Sequence, residues 1–224
     1  GPRTMAAPMS ETPTRFDERL LRYVAERTRG EDAFLRDLRA AALEAGIPSI
    51  SIGPEQASFM QVVLKAAGAR EVVEVGTLFG LSAIAMARAL PPGGRVRTIE
   101  IDPGHAAFAK EWIAKSDVAD RIELHLGAGS DVLPGFEDAG ADACFLDADK
   151  GGYGGYLKEC LRILKPGGVV MADNAFAFGQ LLDDEPTDPD VPAVRAFNDH
   201  IAKVPGLHGI IVPFGDGLWV AVKE

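Results

Sequence analysis

From residue 69 onward the chain alternates short apolar runs with stretches of helical periodicity. The runs Val72–Val75, Arg95–Pro103, Arg121–Leu126, Ala141–Asp147 and Val169–Asp173 are rich in β-branched residues and predict strands, several of them ending in acids. Between them, Ser82–Ala89, Gly104–Lys115 and Tyr156–Leu164 repeat apolar residues every three or four positions and predict helices. A short helix is expected after Gly127-Ala128-Gly129-Ser130, a turn at Lys165-Pro166-Gly167-Gly168, and a last helix over Val194–Val204. His208–Phe214 and Leu218–Val222 flank the Gly215-Asp216-Gly217 turn and predict a closing antiparallel hairpin. Strands alternating with helices at this spacing define an α/β fold, a mostly parallel sheet with helices on both faces.

Residues 13–68 are helical in pattern. Thr14 precedes Phe16, Leu20, Leu21 and Val24, and Gly30 ends that helix. A second run carries Phe34, Leu35, Leu38, Ala42 and Leu43 up to Gly46; a third opens at Pro54, carries Phe59, Met60, Val63 and Leu64, and ends at Gly68. The expected organisation is a single domain over 13–224, with helices at 13–68 and an α/β core at 69–224. Residues 1–12 are expected to be a tag remnant or a disordered start. The segment 175–192 has no helical or strand pattern and carries Asp183, Asp184, Glu185, Asp188 and Asp190. A loop that long in a compact domain is usually functional or disordered.

Composition narrows the partners. With 224 residues and 47% hydrophobic content the chain fills one domain. A net charge of -10 argues against a large phosphate-backbone interface and hence against a nucleic-acid partner. No apolar run reaches the roughly 18 residues of a membrane span, and no signal peptide is visible. Cys144 and Cys160 have no metal-ligand spacing and read as reduced core thiols of a cytoplasmic protein.

The polar residues gather at strand ends. In a parallel sheet these ends share one edge, where ligands bind. Val72-Val73-Glu74-Val75-Gly76-Thr77-Leu78-Phe79-Gly80-Leu81-Ser82 reads as strand, tight turn and helix start. Gly76 permits close backbone approach, and Glu74 suits a ligand bearing hydroxyls or positive charge. The G-x-G-x-x-G spacing of a dinucleotide site is missing, which counts against a nicotinamide dehydrogenase. Glu100, ending the second strand, is placed to accept hydrogen bonds from ribose hydroxyls. Asp147, Asp173 and Asn174 offer hard oxygen donors, a set that favours Mg²⁺ or Ca²⁺ over zinc. The run beginning Asp147-Ala148-Asp149-Lys150 is not an EF-hand, because Lys158 stands where the bidentate Glu is needed.

Val73–Ser82, Ile99-Glu100-Ile101-Asp102, Phe145-Leu146-Asp147-Ala148-Asp149-Lys150 and Ala172-Asp173-Asn174 resemble, in order and spacing, the metal-dependent O-methyltransferases, a family that includes catechol and caffeoyl-CoA O-methyltransferases. The resemblance runs from about Phe34 to the C-terminus and includes Ser51–Gln56 and Gly215–Leu218. It implies a Rossmann-like, seven-stranded sheet binding S-adenosylmethionine (SAM). Glu74, Gly76 and Thr77 would face its methionine part, with Ser82 on the carboxylate. Glu100 would hold the ribose, Ala128 and Gly129 would lie at the adenine, and Ile52 would pack near the donor. Asp147, Asp173 and Asn174 match the metal ligands, for Mg²⁺ with Ca²⁺ or Mn²⁺ as substitutes, and Lys150 matches the general base. A homodimer is implied as well. The implied reaction methylates a hydroxyl of a small ortho-dihydroxy aromatic or related natural product. Tyr153, Phe176 and Phe178 are the candidates for an aromatic wall on the acceptor side. Two alternatives remain open here: methylation of a hydroxylated tRNA uridine by the same chemistry, and a catalytically silent SAM-binding module.

Overall fold

In the computed structural model, which describes residues 17–224, burial follows the two periodicities of the sequence. Three helices come first: α1 (Glu18–Ala25), α2 (Ala33–Glu44) and α3 (Pro54–Ala66). Asp17 and Asp32 cap the first two, accepting from Leu20 N at 2.9 Å and Leu35 N at 3.0 Å. Thr14 and Phe16, with which the first helix was expected to open, and the segment 1–12 lie outside the described residues.

The α/β part follows as β1 (Glu71–Val75), α4 (Leu81–Ala87), β2 (Arg95–Glu100), α5 (Pro103–Lys115), β3 (Ile122–Leu126), α6 (Gly129–Val132), β4 (Ala141–Leu146), α7 (Tyr153–Ile163), β5 (Leu164–Ala172), α8 (Val191–Ile201), β6 (Leu207–Val212) and β7 (Leu218–Lys223). The seven strands lie in the order β3-β2-β1-β4-β5-β7-β6. The first five are mutually parallel; β7 runs antiparallel to both β5 and β6. The Rossmann-like, mostly parallel fold and its closing hairpin are therefore as the sequence implies.

Strand alternation sorts the core onto two faces. Val72, Val96, Ala143, Phe145, Val169 and Met171 pack with α2, α3 and α4 on one face. Val73, Val75, Ile99, Cys144, Leu146, Val170 and Ala172 pack with α7 and α8 on the other. Strands β1 and β4 are buried on both faces, which is why their sequences read as unbroken apolar runs. Both cysteines are free and buried within this core. No helix among the described residues is long and apolar enough to cross a membrane.

One expectation is corrected. Lys165–Gly168 is not a turn preceding β5. Leu164 already pairs with Ala141 and the next pair is Ala143 with Val169, so the four residues bulge out of a longer strand, with Gly167 at φ +79°. The segment 175–190 has no regular element yet is tied down. Arg195 donates from Nε to the Leu181 carbonyl at 2.8 Å and from its guanidinium to the Asp183 carbonyl at 2.5 Å. Gln180 Oε1 accepts from Thr187 N at 2.7 Å, and Ala177, Val191 and Val194 form a small core of their own.

Candidate active site

The order of the parallel strands reverses between β1 and β4, where connections leave to opposite sides and open a crevice at the carboxyl ends. The two chains nearly touch there. Gly76 has φ +105°, and a Cβ at this position would overlap the Asp147 carbonyl oxygen. Glycine is required by both conformation and space.

A cavity of about 770 Å³ opens on this edge. The structure brings Ile52, Glu100, Gly76, Thr77, Ser82, Gly129, Asp147, Lys150, Asp173, Asn174 and Phe178 to its lining. Glu74 sits just beneath, fully buried at 0% exposure. Parallel pairing sets it opposite Thr98, whose Oγ1 donates to Glu74 Oε2 at 2.6 Å; Ser82 Oγ donates to Glu74 Oε1. Burial pushes the Glu74 carboxyl up from 4.5 to about 8 against the pull of these two hydroxyls. Glu100 is aimed by the backbone: Leu78 N donates to Oε2 at 2.7 Å and Asp102 N to Oε1 at 2.9 Å. Asp102, the second acid of that strand end, instead caps α5, accepting from Gly104 N at 2.7 Å.

At the ends of β4 and β5 the remaining polar groups meet. Lys150 is buried, donating from Nζ to the Tyr153 hydroxyl at 2.7 Å and to Asp147 Oδ1 at 3.4 Å. Gln56, from α3, donates from Nε2 to Asp173 Oδ1 at 2.7 Å. Burial pushes both carboxyls upward: Asp147 to about 7, opposed by Lys150 and reinforced by Asp173, and Asp173 above the usual carboxylate range despite the Gln56 bond. Asn174 stands at φ +63°, a conformation asparagine tolerates, and donates from Nδ2 to Asp216 Oδ2 at 3.0 Å.

Three expected placements differ. Tyr153 does not line the cavity. Its ring is buried edge-on against Phe197 at 5.0 Å, and its hydroxyl donates to the Leu146 carbonyl at 3.1 Å while receiving Lys150. Phe176 is also outside the lining, packed on Gly217, where a Cβ would come within 2.8 Å of the ring. Of the aromatic wall, Phe178 alone faces the cavity, 42% exposed. Ala128 stands back as the residue before α6, and its neighbours Gly127 and Gly129 form the lining.

Sequence reasoning had given no site role to Thr98, Gln56, Tyr156 or Asp216. Tyr156 lies across the crevice with its hydroxyl on Asp149 Oδ1 at 2.6 Å, so close that a Cβ on Gly129 would meet its ring at 2.8 Å. The one available signal for Thr98 is its register with Glu74 once β1 and β2 are adjacent.

Known proteins with this arrangement are numerous. The family model described as O-methyltransferase matches residues 25–224. A catechol O-methyltransferase of Niastella koreensis is 38% identical over 179 residues, covering 79% of this chain and 81% of the relative. A catechol O-methyltransferase of Mycobacterium tuberculosis is 36% identical, covering 80% of each chain. Among solved structures, the O-methyltransferase of Bacillus cereus in complex with SAH superposes with a TM-score of 0.82 at 31% identity, covering 91% of this chain and 96% of that one. The chain belongs to the O-methyltransferase family.

Proposed function

We propose that the protein transfers a methyl group from SAM to one hydroxyl of a small ortho-dihydroxy aromatic, with Mg²⁺ held by Asp147, Asp173 and Asn174. The observation that carries this is the gathering, in one cavity, of Glu100 and the Gly76-Thr77 turn, with Glu74 buried beneath, and of an oxygen-rich corner containing a buried lysine. The SAH held by the Bacillus cereus relative and the catechol named for two others support the donor and acceptor classes.

The residues fit the cation. The buried Asp173 and the half-buried Asp147 face one lysine, and no other lysine or arginine lines the cavity among the described residues, so positive charge is in deficit. Among those residues no three His, Cys, Asp or Glu side chains cluster as a metal site; the third donor here is the Asn174 amide. An all-oxygen set of two carboxylates and one amide suits Mg²⁺ or Mn²⁺. When bound, the cation supplies the charge that acidifies and orients an acceptor hydroxyl, and SAM supplies the methyl group.

The chain's own residues do the rest. Glu100, with both oxygens already fixed by backbone N–H groups, presents its remaining lone pairs to the ribose hydroxyls. The Gly76-Thr77 backbone binds the amino-acid end, with Glu74 beneath it holding the Ser82 and Thr98 hydroxyls, and Ile52 packs beside the donor. Lys150 Nζ, held by the Tyr153 hydroxyl, takes the proton of the acceptor hydroxyl in the part of the cycle in which it is the neutral amine. Tyr153 is therefore a positioning residue. Phe178 stacks on the acceptor ring at the mouth. The acid-rich lining disfavours a tRNA acceptor, whose phosphates it would repel.

The test is incubation with SAM and a panel of ortho-diphenols, with Mg²⁺ or with a chelator, quantifying SAH. Turnover requiring both diphenol and metal, and lost in Asp147→Ala, is the expected result. Tight SAM binding without metal-dependent turnover on any diphenol would overturn the acceptor and cation assignments; no SAM binding would overturn the whole.

A further inference from the structure

The Asn174 amide is ambiguous as a cation ligand, because an amide presents either a carbonyl oxygen or an NH₂ group, and only the oxygen binds a hard cation. Here its orientation is set from outside the parallel sheet. The β6–β7 turn, Gly215-Asp216-Gly217, brings a half-buried carboxylate against the segment that follows β5. Asp216 Oδ2 accepts from Asn174 Nδ2 at 3.0 Å and from Phe178 N at 2.8 Å, and its Oδ1 accepts from Gly179 N at 3.2 Å. The backbone reinforces the contact: Phe176 N donates to the Asp216 carbonyl at 2.8 Å and Ala175 N to the Gly217 carbonyl at 2.9 Å. A carboxylate offers only acceptors, so the atom of Asn174 that faces it is the nitrogen. The oxygen is left free on the other side, in the cavity shared with Asp147 and Asp173.

We propose that Asp216 is the positioning residue that fixes Asn174 with its oxygen available to a divalent cation, and that the same carboxylate joins the Phe178-bearing turn to the cation corner. This rests on the Mg²⁺ assignment made above.

Removing the acceptors and replacing them by an amide separate orientation from charge. Asp216→Ala leaves no acceptor opposite Asn174, so its amide is free to turn over and offer nitrogen to the cation. In Asp216→Asn an oxygen in the Oδ2 place still accepts from both Asn174 Nδ2 and Phe178 N, and only the longer bond from Gly179 N is lost. The two variants lose the same charge, and only the first loses the orienting bond.

The measurement is Mn²⁺ affinity in the absence of acceptor, read from the free-ion signal by electron paramagnetic resonance, with SAH affinity measured on the same proteins. Loss of an orienting partner around a metal ligand weakens metal binding ~10- to 100-fold, the effect expected for Asp216→Ala. Asp216→Asn keeps the orienting bond and is expected to stay within about threefold of the parent, as a change of screened charge alone does. Asp190→Asn removes an equal charge from another cavity-lining acid whose carboxylate makes no hydrogen bond to Asn174, and is expected to change affinity by less than about threefold, as a screened exposed charge does.

Asp216→Ala binding Mn²⁺ as tightly as the parent, or weakened no more than Asp190→Asn, would overturn the proposal and leave the Mg²⁺ assignment standing. A parent protein that takes up no Mn²⁺ would overturn both. Should Asp216→Ala also lose SAH, Asp216→Asn decides: Mn²⁺ binding kept there supports the orientation, and Mn²⁺ binding lost there refutes it.

Discussion

The buried carboxyl of Glu74 makes a prediction about stability that is independent of turnover. Its value in the native protein is about 8 against 4.5 when free in solution, with burial as the cause. A native value above the unfolded one means that the folded state binds the proton more tightly. The contribution to stability is thus complete below about pH 4.5 and is lost as pH rises through about 8. At about 1.4 kcal/mol per pH unit the full loss is about 5 kcal/mol, large against the 5–15 kcal/mol typical of a domain. Glu74→Gln keeps the shape, and its amide can still pair with the Ser82 and Thr98 hydroxyls, but it has no proton to lose. Urea unfolding of the ligand-free protein in chelator, from pH 5 to 8.5, should show the parent losing stability relative to the variant by about 1 kcal/mol or more per pH unit. The variant should be the more stable protein at pH 8.5. Subtracting the two profiles removes the contribution of Asp147 and the other acids, provided these behave alike in both. Parallel profiles across this range would refute the claim that Glu74 carries a proton in the folded core at neutral pH.

Other expectations follow from single contacts. Tyr153→Phe removes the acceptor for Lys150 and should cost about 1–3 kcal/mol of stability while displacing the acid limb of the pH–rate profile, which reports the general base; an unchanged profile would remove Tyr153 from its positioning role. Gly76→Ala must displace either its own turn or the Asp147 backbone, and should cost at least about 2 kcal/mol in urea unfolding together with the loss of SAH binding by calorimetry. Arg195→Ala frees three carbonyls in the 180–183 stretch; limited proteolysis should cut within 180–190 faster, with global stability falling by only about 1 kcal/mol.

The sheet and the acids on its edge were legible in the sequence because parallel strands put their carboxyl ends together, and a polar residue ending an apolar run is a local signal. What could not be read was which strand-end acid serves which purpose. Glu100 and Asp102 look alike in sequence, yet one is aimed into the cavity by two backbone N–H groups and the other caps a helix. Partners separated far along the chain were equally opaque: Gln56 reaches Asp173 across 117 positions, and Asp216 reaches Asn174 across 42. Tyr153, three residues after Lys150, was expected on the acceptor side as part of an aromatic wall with Phe176 and Phe178. The same spacing serves to turn its ring inward onto Phe197, and nothing local in the chain distinguishes the two directions.

The strapped segment after β5 has a consequence for how such enzymes can be altered. Its bonds are largely internal: Gln180 closes on Thr187, Arg195 on 180–183, and Ala177, Val191 and Val194 supply a private core. It joins the rest through few anchors, chiefly Asp216 and the Asn198 amide, which donates to the Ala175 carbonyl at 2.8 Å. A unit wired in this way behaves as an interchangeable cassette. Residues 175–195 could be transplanted from a relative with a different acceptor, and the graft should fold wherever those two anchors are kept, while the crevice at Gly76 and Glu100 remains as it was.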